Sequence, residues 1–173
     1  MAAAGVEAPA PFDPLAVVRQ VAEAARDTAS GKGLRFDVEA PEVLPRALGD
    51  ETGFRRALGH VVENALKFTE AGGVRLEACA VGDRVRFTVS DTGPGIPREH
   101  AERIFEPFHQ VEFGDTRTAS GLGIGLSLAR DALDRMGGAL RLAYSGPGGS
   151  AFELELPVEP RPPRKTSTSP EAE

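Results

Sequence analysis

The sequence predicts an α/β domain, because apolar residues follow a strand-like repeat in some segments of the chain and a helix-like repeat in others. Five segments alternate apolar with polar residues, as half-buried strands do. They are centred on Phe36, Leu76, Phe87, Leu142 and Leu154. Three longer segments space apolar residues three and four apart, as amphipathic helices do. They cover about residues 13–30, 50–67 and 125–136, and glycine or proline clusters separate the segments.

The composition bounds the size and the environment of the protein. A chain of 173 residues, 40% hydrophobic and 27% charged, fits one domain with tails. The single cysteine, Cys79, cannot form an internal disulfide, and its place in a predicted strand makes packing its expected role. No apolar run approaches the roughly 18 residues of a membrane span, so we expect a soluble chain. The net charge of −6 argues against a nucleic-acid surface.

The chain begins with an alanine- and proline-rich stretch, residues 1–12, that we interpret as a linker without a fold of its own. Asp13 is a plausible N-cap, and Pro14 suits the first position of a helix that ends at residues 30–33. The first alternating strand follows, and a short second strand is expected at residues 46–49. The folded domain should therefore begin at Asp13.

The second helix carries the first cluster of candidate functional residues. Asp50 can cap it, and it should end near Lys67. His60 and Asn64 stand four residues apart, so both project from one face, and Lys67 stands three further on. Asparagine is disfavoured inside a helix, which makes a buried or ligand-facing position for Asn64 more plausible than an exposed position without a role. The alternative is an exposed polar face without a ligand.

A predicted hairpin leads to the second cluster. A Gly-Asp turn joins two strands, and the second strand ends at Asp91. Gly93 and Gly95 then allow positive φ and close approach of the backbone to a flat ligand. Taken alone, residues 91–97 are better explained as an ordinary turn between elements, and only the neighbouring segments favour a ligand site.

The remainder of the chain alternates irregular and regular segments. A short helix is expected around residues 98–105, and the polar residues 112–120 lack periodicity, which indicates a mobile lid. A Gly-rich run then opens the third helix, which stops at Gly137 and Gly138 and whose N-terminus is a natural phosphate site. After a final hairpin, the tail from residue 159 lacks the apolar area to offset ordering and is expected to be disordered.

Four segments keep the order and spacing of the sequence boxes of a known family. They read Glu-Asn-Ala-Leu-Lys-Phe-Thr at 63–69, Asp-Thr-Gly-Pro-Gly-Ile-Pro at 91–97, Ile-Phe-Glu-Pro-Phe-His-Gln at 104–110 and Gly-Leu-Gly-Ile-Gly-Leu at 121–126. They resemble the N, G1, F and G2 boxes of the catalytic, ATP-binding domain of sensor histidine kinases. That domain belongs to a superfamily with type II topoisomerase, heat-shock chaperone and mismatch-repair ATPases. Each box alone is a weak signal, whereas all four in register are strong.

The resemblance, which covers about residues 13–158, implies a two-layer α/β sandwich of the Bergerat type. In this fold a mixed sheet is covered on one face by about three helices and carries a mobile ATP lid. The chain then divides into a linker at 1–12, a catalytic ATP-binding domain at 13–158 and a disordered tail at 159–173. ATP and Mg²⁺ are the implied cofactors, with ATP lying between the second helix and the lid.

Family roles for the adenine end carry over to matching positions. By resemblance, Asp91 would accept a hydrogen bond from the exocyclic amine of adenine. Gly93 and Gly95 would let the loop close over the base. Ile96 and Phe68 would flank the adenine, although either residue also fits plain core packing.

At the phosphate end, the resemblance implies that Asn64 binds Mg²⁺ through its amide oxygen, which suits a hard cation, and that Lys67 meets the phosphates. Arg117, the only basic residue of the predicted lid, would reach the γ-phosphate or face solvent, and these three would be the catalytic residues. Phe105 and Phe108 fit the F box, where they would hinge the lid with Phe108 beside the cofactor, although plain core packing explains Phe105 equally well. The glycine-rich run would bring backbone amides to the phosphates and comprises Gly121, Leu122, Gly123, Ile124, Gly125 and Leu126.

Two positions depart from the family pattern. His60 stands where the first asparagine of the N box is usual. An imidazole suits Mg²⁺ poorly, so His60 would act on the metal through water or have no role in the site. Ala151 stands where a threonine is common, so that either a water-mediated contact to the base is missing or Ser150 replaces it.

The function implied by resemblance is that of a protein histidine kinase in two-component signal transduction. It would transfer the γ-phosphoryl group of Mg·ATP to a histidine on a separate dimerisation and phosphoacceptor domain, and would act indirectly on a response regulator. No phosphoacceptor context surrounds His60, His100 or His109. We therefore expect the chain to bind ATP without carrying its own substrate histidine. The resemblance also implies a domain that is monomeric when isolated and cytoplasmic, alone or as part of a larger or membrane-bound sensor, without membrane contact of its own.

Two other functions compete with kinase activity. One is a degenerate regulatory module that binds nucleotide without phosphotransfer, which the departures at His60 and Ala151 favour. The other is an ATP-hydrolysing domain of the chaperone or topoisomerase type, which usually needs a glutamate base where His60 stands. Glu63 precedes Asn64 by one residue and so projects about 100° away from it, which counts against hydrolysis.

Overall fold

The computed structural model describes residues 8–111 and 124–162, which form three α-helices and seven strands. The strands are β1 (Ala10–Phe12), β2 (Arg35–Glu39), β3 (Ala47–Gly49), β4 (Gly73–Val81), β5 (Arg84–Asp91), β6 (Ala139–Gly146) and β7 (Gly149–Pro157). The helices are α1 (Pro14–Gly31), α2 (Glu51–Phe68) and α3 (Gly125–Arg135). The predicted lid at 112–120, and residues 163–173 of the predicted tail, lie outside the described residues. No helix in the described ranges is both long and apolar enough to span a bilayer.

Five strands form one mixed sheet in the order β2-β4-β5-β7-β6. β2 runs parallel to β4, and the other neighbouring pairs are antiparallel, so both predicted hairpins are confirmed. Alternation along β5 buries Phe87 completely on one face and places Arg86 on the other, where it pairs with Glu155 at 2.7 Å. The three helices add their apolar residues to the core on the buried face. The predicted α/β sandwich is therefore confirmed.

The centre of the core is Phe54 on α2, which is fully buried between two other rings. Its ring centroid lies 5.8 Å from that of Phe12 and 4.7 Å from that of Phe87. Phe12 belongs to β1, which pairs antiparallel with β3 and places Phe12 opposite Ala47. The prediction that residues 1–12 have no fold is therefore wrong for the three residues of β1. A strand of that length is too short to show alternation, and its partner lies far along the chain.

The helix starts differ from each other in how they are capped. At α1 the Asp13 carboxylate accepts a hydrogen bond from Leu15 N at 2.9 Å, which confirms the predicted N-cap. At α2 Asp50 is the N-cap residue, as predicted, but its side chain makes no cap hydrogen bond. Instead, Asp50 N donates to Met136 Sδ at 3.3 Å, because the end of α3 packs directly against the start of α2.

Two further expectations are corrected by the structure. The helix predicted at 98–105 consists of two short 3₁₀ turns, Arg98–His100 and Arg103–Phe105. Only Ile104 among these residues is buried, so the segment lacks the apolar face that would stabilise a longer helix. Cys79 is exposed instead of packed, because its position on β4 faces away from the helices, opposite Arg86 of β5.

Candidate functional site

A cavity of about 480 Å³ opens where the C-terminal half of α2, the loop after β5 and the start of α3 meet. Most of the residues predicted to bind a ligand line this one cavity, although they come from three separate segments of the chain. They are His60, Asn64, Lys67, Phe68, Asp91, Gly95, Ile96, Ile124, Gly125 and Leu126.

Other predicted residues lie elsewhere. Gly93 does not line the cavity, but its backbone N donates to Asp91 Oδ1 at 2.9 Å and so helps to hold the carboxylate. Phe108 also does not line the cavity: its side chain is 73% exposed, and its backbone has a positive φ of 63°. Arg117 and the residues Gly121, Leu122 and Gly123 lie outside the described residues.

Asp91 stands at the end of β5 with its carboxylate half-buried in the cavity wall. Its Oδ1 accepts hydrogen bonds from Gly93 N at 2.9 Å and from Ser150 N at 3.3 Å. Within the described part of the chain Oδ2 receives no hydrogen bond, so this oxygen is left for a ligand. Burial raises the pKa of Asp91 above its ordinary value, and the two backbone donors oppose that rise. A half-buried acceptor that is held in place but not saturated is well suited to a ligand amine.

The ligand-facing side of α2 arises from helical spacing, as the sequence predicted. Asn64 and Lys67 line the cavity, and Lys67 Nζ lies 5.5 Å from the centre of the Phe68 ring, within cation–π range. The His60 ring packs beside Gly125, where an added Cβ would lie 3.5 Å from His60 Nδ1. Glu63, which is exposed, also lines the cavity.

The loop after Asp91 is fixed to the end of β6 by contacts that the sequence did not predict. Ile96 N donates to Ser145 Oγ at 2.6 Å, and Ser145 Oγ donates back to Ile96 O at 3.1 Å. Gly95 has a φ of 77°, and a Cβ there would overlap the carbonyl oxygen of Gly146. The Ser150 hydroxyl lies 3.5 Å from that of Ser145 and lines the cavity. The final hairpin therefore shapes the wall that Ile96 presents to a ligand.

We expect Ser145→Ala to lower the free energy of unfolding by about 1–2 kcal/mol, because the backbone N and O of Ile96 both lose their partner in a partly buried position. Urea denaturation of the two proteins measures this difference. Ser145→Thr, which keeps the hydroxyl, is the matched variant and should recover most of the loss. Equal midpoints for wild type and Ser145→Ala would contradict a structural role for these hydrogen bonds.

Apolar residues missed by sequence reasoning complete the cavity. Ile104 and Phe152 both line it, and the rings of Phe105 and Phe152 lie nearly perpendicular at a centroid distance of 6.3 Å. Arg130 of α3 also packs against Phe105, with its Cζ 4.9 Å from the centre of the Phe105 ring. The F box, which contains Phe105, was the sequence signal that could have pointed to this apolar wall. Phe152 was hidden because alternation in β7 marks it only as core.

The donor set of the cavity restricts what metal it could hold. The described residues contain no group of three or more His, Cys, Asp or Glu side chains arranged around a metal ion. Asn64 offers an amide oxygen at the cavity wall. Mg²⁺ commonly uses one or two protein oxygens together with water and substrate phosphates. The residues present therefore fit Mg²⁺ carried by a phosphorylated ligand better than a metal held by protein alone.

The sequence matches known proteins over most of its length. Residues 49–160 match a family model described as "Histidine kinase-, DNA gyrase B-, and HSP90-like ATPase". The sensory/regulatory protein RpfC of Xanthomonas campestris pv. campestris is 37% identical over 147 residues, which are 81% of this chain and 20% of that protein. The signal transduction histidine-protein kinase BaeS of Escherichia coli is 27% identical over 151 residues, 87% of this chain and 32% of that protein.

Solved structures, histidine kinases among them, also resemble this chain. Full-length ShkA in complex with AMPPNP aligns with a TM-score of 0.77 at 37% identity, over 92% of this chain and 33% of that one. The catalytic domain of the histidine kinase ThkA aligns with a TM-score of 0.74 at 28% identity, over 87% and 95%. ThkA in complex with the response regulator TrrA aligns at 0.72 and 26%, over 87% and 42%. The chain thus spans a fifth to a third of RpfC and BaeS but nearly all of an isolated catalytic domain.

Proposed function

The chain belongs to the family of histidine kinase-, DNA gyrase B- and HSP90-like ATPases, and from this premise we propose that it binds Mg·ATP and transfers the γ-phosphoryl group to a histidine on a separate domain. Its relatives are sensor histidine kinases, so two-component signalling is the setting. The acceptor would be a dimerisation domain, and a response regulator would receive the phosphoryl group later. ThkA has been solved with such a regulator, TrrA.

The observation that carries the proposal is the pairing of an apolar slot with one held carboxylate. Ile96, Ile104, Phe152 and Phe68 give the cavity apolar walls that suit the faces of a purine. Asp91 adds an acceptor whose free oxygen would take the exocyclic amine of adenine. Guanine presents a carbonyl oxygen at that position, which would face a carboxylate without a hydrogen bond. The cavity should therefore prefer ATP over GTP.

The phosphates would lie between the end of α2 and the start of α3. The first amides of a helix have no partner within it and favour anions, and Gly125 begins α3 at the cavity wall. Lys67 supplies a cation on the opposite side. Asn64 would hold Mg²⁺, which would neutralise charge on the phosphates. Arg117 and the glycines at 121 and 123 are proposed to contribute from the segment that the structure does not describe.

Positioning and charge neutralisation would supply most of the catalysis, because phosphoryl transfer needs little covalent chemistry from the protein. The chain's own histidines do not fit the acceptor role. His60 packs beside Gly125 in the cavity wall, and His100 Nδ1 lies 3.0 Å from His109 Nε2. The acceptor histidine is therefore proposed to come from another domain.

A nucleotide-binding regulatory module without phosphotransfer is the second candidate. It is favoured by His60, which occupies the cavity wall where the family has an amide that can approach Mg²⁺. A protein of this class would bind Mg·ATP and transfer nothing.

The binding half of the proposal is tested by titrating AMPPNP, ADP and GTP into the protein by calorimetry, with and without Mg²⁺. We expect AMPPNP and ADP to bind, GTP to bind at least about tenfold more weakly, and Mg²⁺ to strengthen AMPPNP binding more than ADP binding. A protein that binds neither adenine nucleotide, or that binds GTP equally well, would contradict the assignment of the cavity.

We expect His60→Asn to bind Mg·AMPPNP as tightly as wild type or more tightly, because an amide oxygen is a better ligand for Mg²⁺ than an imidazole nitrogen. The dependence of affinity on Mg²⁺ concentration, measured by calorimetry, should become steeper. Asn64→Ala serves as the reference and should lose that dependence. Identical curves for wild type and His60→Asn would leave the histidine without a role at the metal.

A further inference from the structure

Lys32, which lies outside the cavity, makes contacts that neither the sequence boxes nor the proposed function explains. Its ammonium group donates to three backbone carbonyls at the end of α2: Leu66 O at 2.5 Å, Lys67 O at 3.2 Å and Thr69 O at 3.1 Å. An ammonium group has three donors, so all of them are used on one turn of backbone that lies 34 or more residues further along the chain.

The local fold holds the Lys32 side chain at this place. Lys32 is the C-cap of α1, and Gly33 follows with a φ of 69°. Gly33 N donates to Ser30 O and Leu34 N donates to Ala29 O, the pairing of a Schellman ending. The glycine therefore fixes the direction of the chain as α1 ends, and the ammonium is carried by a rigid turn instead of a flexible loop.

The same contacts complete the end of α2. The last four carbonyls of a helix lack partners within it. Ala65 O accepts from both N and Oγ1 of Thr69, at 3.2 and 2.7 Å. Lys32 serves the next two carbonyls, those of Leu66 and Lys67. This terminal turn carries Lys67 and Phe68, both of which line the cavity.

We propose that Lys32 is a positioning residue for the phosphates of the bound nucleotide. It acts in two ways. Its hydrogen bonds keep the last turn of α2 in the geometry that directs Lys67 into the cavity, and its charge offsets the negative end of the α2 dipole. Without that charge, the carbonyls of this turn would disfavour an anion bound nearby. The inference rests on the proposed function, because it assigns Lys32 to the triphosphate of that ligand.

The test compares three proteins in their affinity for Mg·AMPPNP and for adenosine, measured by calorimetry well below their melting temperatures. Lys32→Met removes the ammonium from an exposed position, so we expect it to fold. Arg26→Met removes the same charge from an exposed position of α1 whose side chain makes no hydrogen bond within the described residues, and so controls for net charge. Lys32→Arg keeps the charge.

We expect Lys32→Met to weaken Mg·AMPPNP about three- to tenfold and to change adenosine affinity less than about twofold. Arg26→Met should stay near wild type for both ligands, and Lys32→Arg should recover part of the AMPPNP affinity. Amide hydrogen exchange should also be faster at Phe68 and Thr69 in Lys32→Met, and unchanged in Arg26→Met.

The outcomes separate the two proposals. Wild type that binds neither ligand overturns the proposed function and this inference with it. Wild type that binds both, with Lys32→Met binding AMPPNP equally well, overturns this inference alone. Equal losses for AMPPNP and adenosine would show that Lys32 merely stabilises the fold and would also overturn the positioning role.

Discussion

Asp91→Asn is expected to lose nucleotide affinity by at least about a hundredfold, enough to abolish detectable binding of ATP and ADP. A hydrogen bond to a charged group contributes about 1.5–3 kcal/mol, and an amide donor turned toward the adenine amine adds the cost of an unpaired group. The asparagine oxygen can still accept from Gly93 N and Ser150 N, which now bond Oδ1 of Asp91. The loop should therefore keep its shape, and the variant should stay folded.

The stability of Asp91→Asn should also depend on pH differently from that of wild type. Because burial raises the pKa of Asp91, the folded protein favours the protonated carboxyl. The stabilisation that protonated Asp91 gives the folded protein is present in full below the ordinary carboxyl pKa of ~4. It is lost as the pH rises through the raised pKa of Asp91. Asp91→Asn has no such titration, so its stability relative to wild type should increase from pH 4 to pH 7, measured by urea denaturation.

Asp83→Asn is the matched control, because it removes the same charge from the exposed turn at the other end of the β4–β5 hairpin. It should bind nucleotide like wild type. Wild-type affinity in a folded Asp91→Asn protein, measured by calorimetry, would contradict the role of this carboxylate in binding adenine.

Gly95→Ala is expected to weaken Mg·AMPPNP by about tenfold or more and to lower the free energy of unfolding by about 1–3 kcal/mol. Gly95 has a φ of 77°, which disfavours any side chain, and a Cβ would also overlap Gly146 O. The loop must move away from β6 to relieve this contact. That movement displaces Ile96 and with it the wall of the cavity.

Gly82→Ala provides a control that separates backbone strain from the steric contact. Gly82 has a similar φ of 60°, lies in the β4–β5 turn and has open space where a Cβ would stand. It should lose a comparable part of the stability through strain alone and keep wild-type affinity. Calorimetry and urea denaturation on both variants make the comparison. Unchanged affinity in Gly95→Ala would contradict the claim that this close contact shapes the site.

Local patterns in the sequence predicted the parts of the site that depend on one element. Helical spacing places His60, Asn64 and Lys67 on the cavity side of α2, and the end of an alternating strand places Asp91 at the cavity wall. The four boxes in register linked these segments to one ligand. The placements on α2 and at the end of β5 need only the geometry of a single helix or strand.

The parts that could not be predicted depend on contacts between distant segments. Ser145 lies 49 residues from Ile96, and Lys32 lies 34 from Leu66. Neither residue belongs to a box or stands out by type. β1 was missed because three residues give no period, and Cys79 was assigned to the core because strand alternation alone does not say which face is covered.

The most direct measurement for the central claim is transfer of labelled phosphate from ATP to a supplied dimerisation domain that carries a phosphoacceptor histidine. We predict Mg²⁺-dependent labelling of the acceptor, none when its histidine is replaced by alanine, and none with Asp91→Asn. A protein that binds Mg·AMPPNP yet labels no acceptor domain would contradict kinase activity and leave the regulatory module as the function of this site.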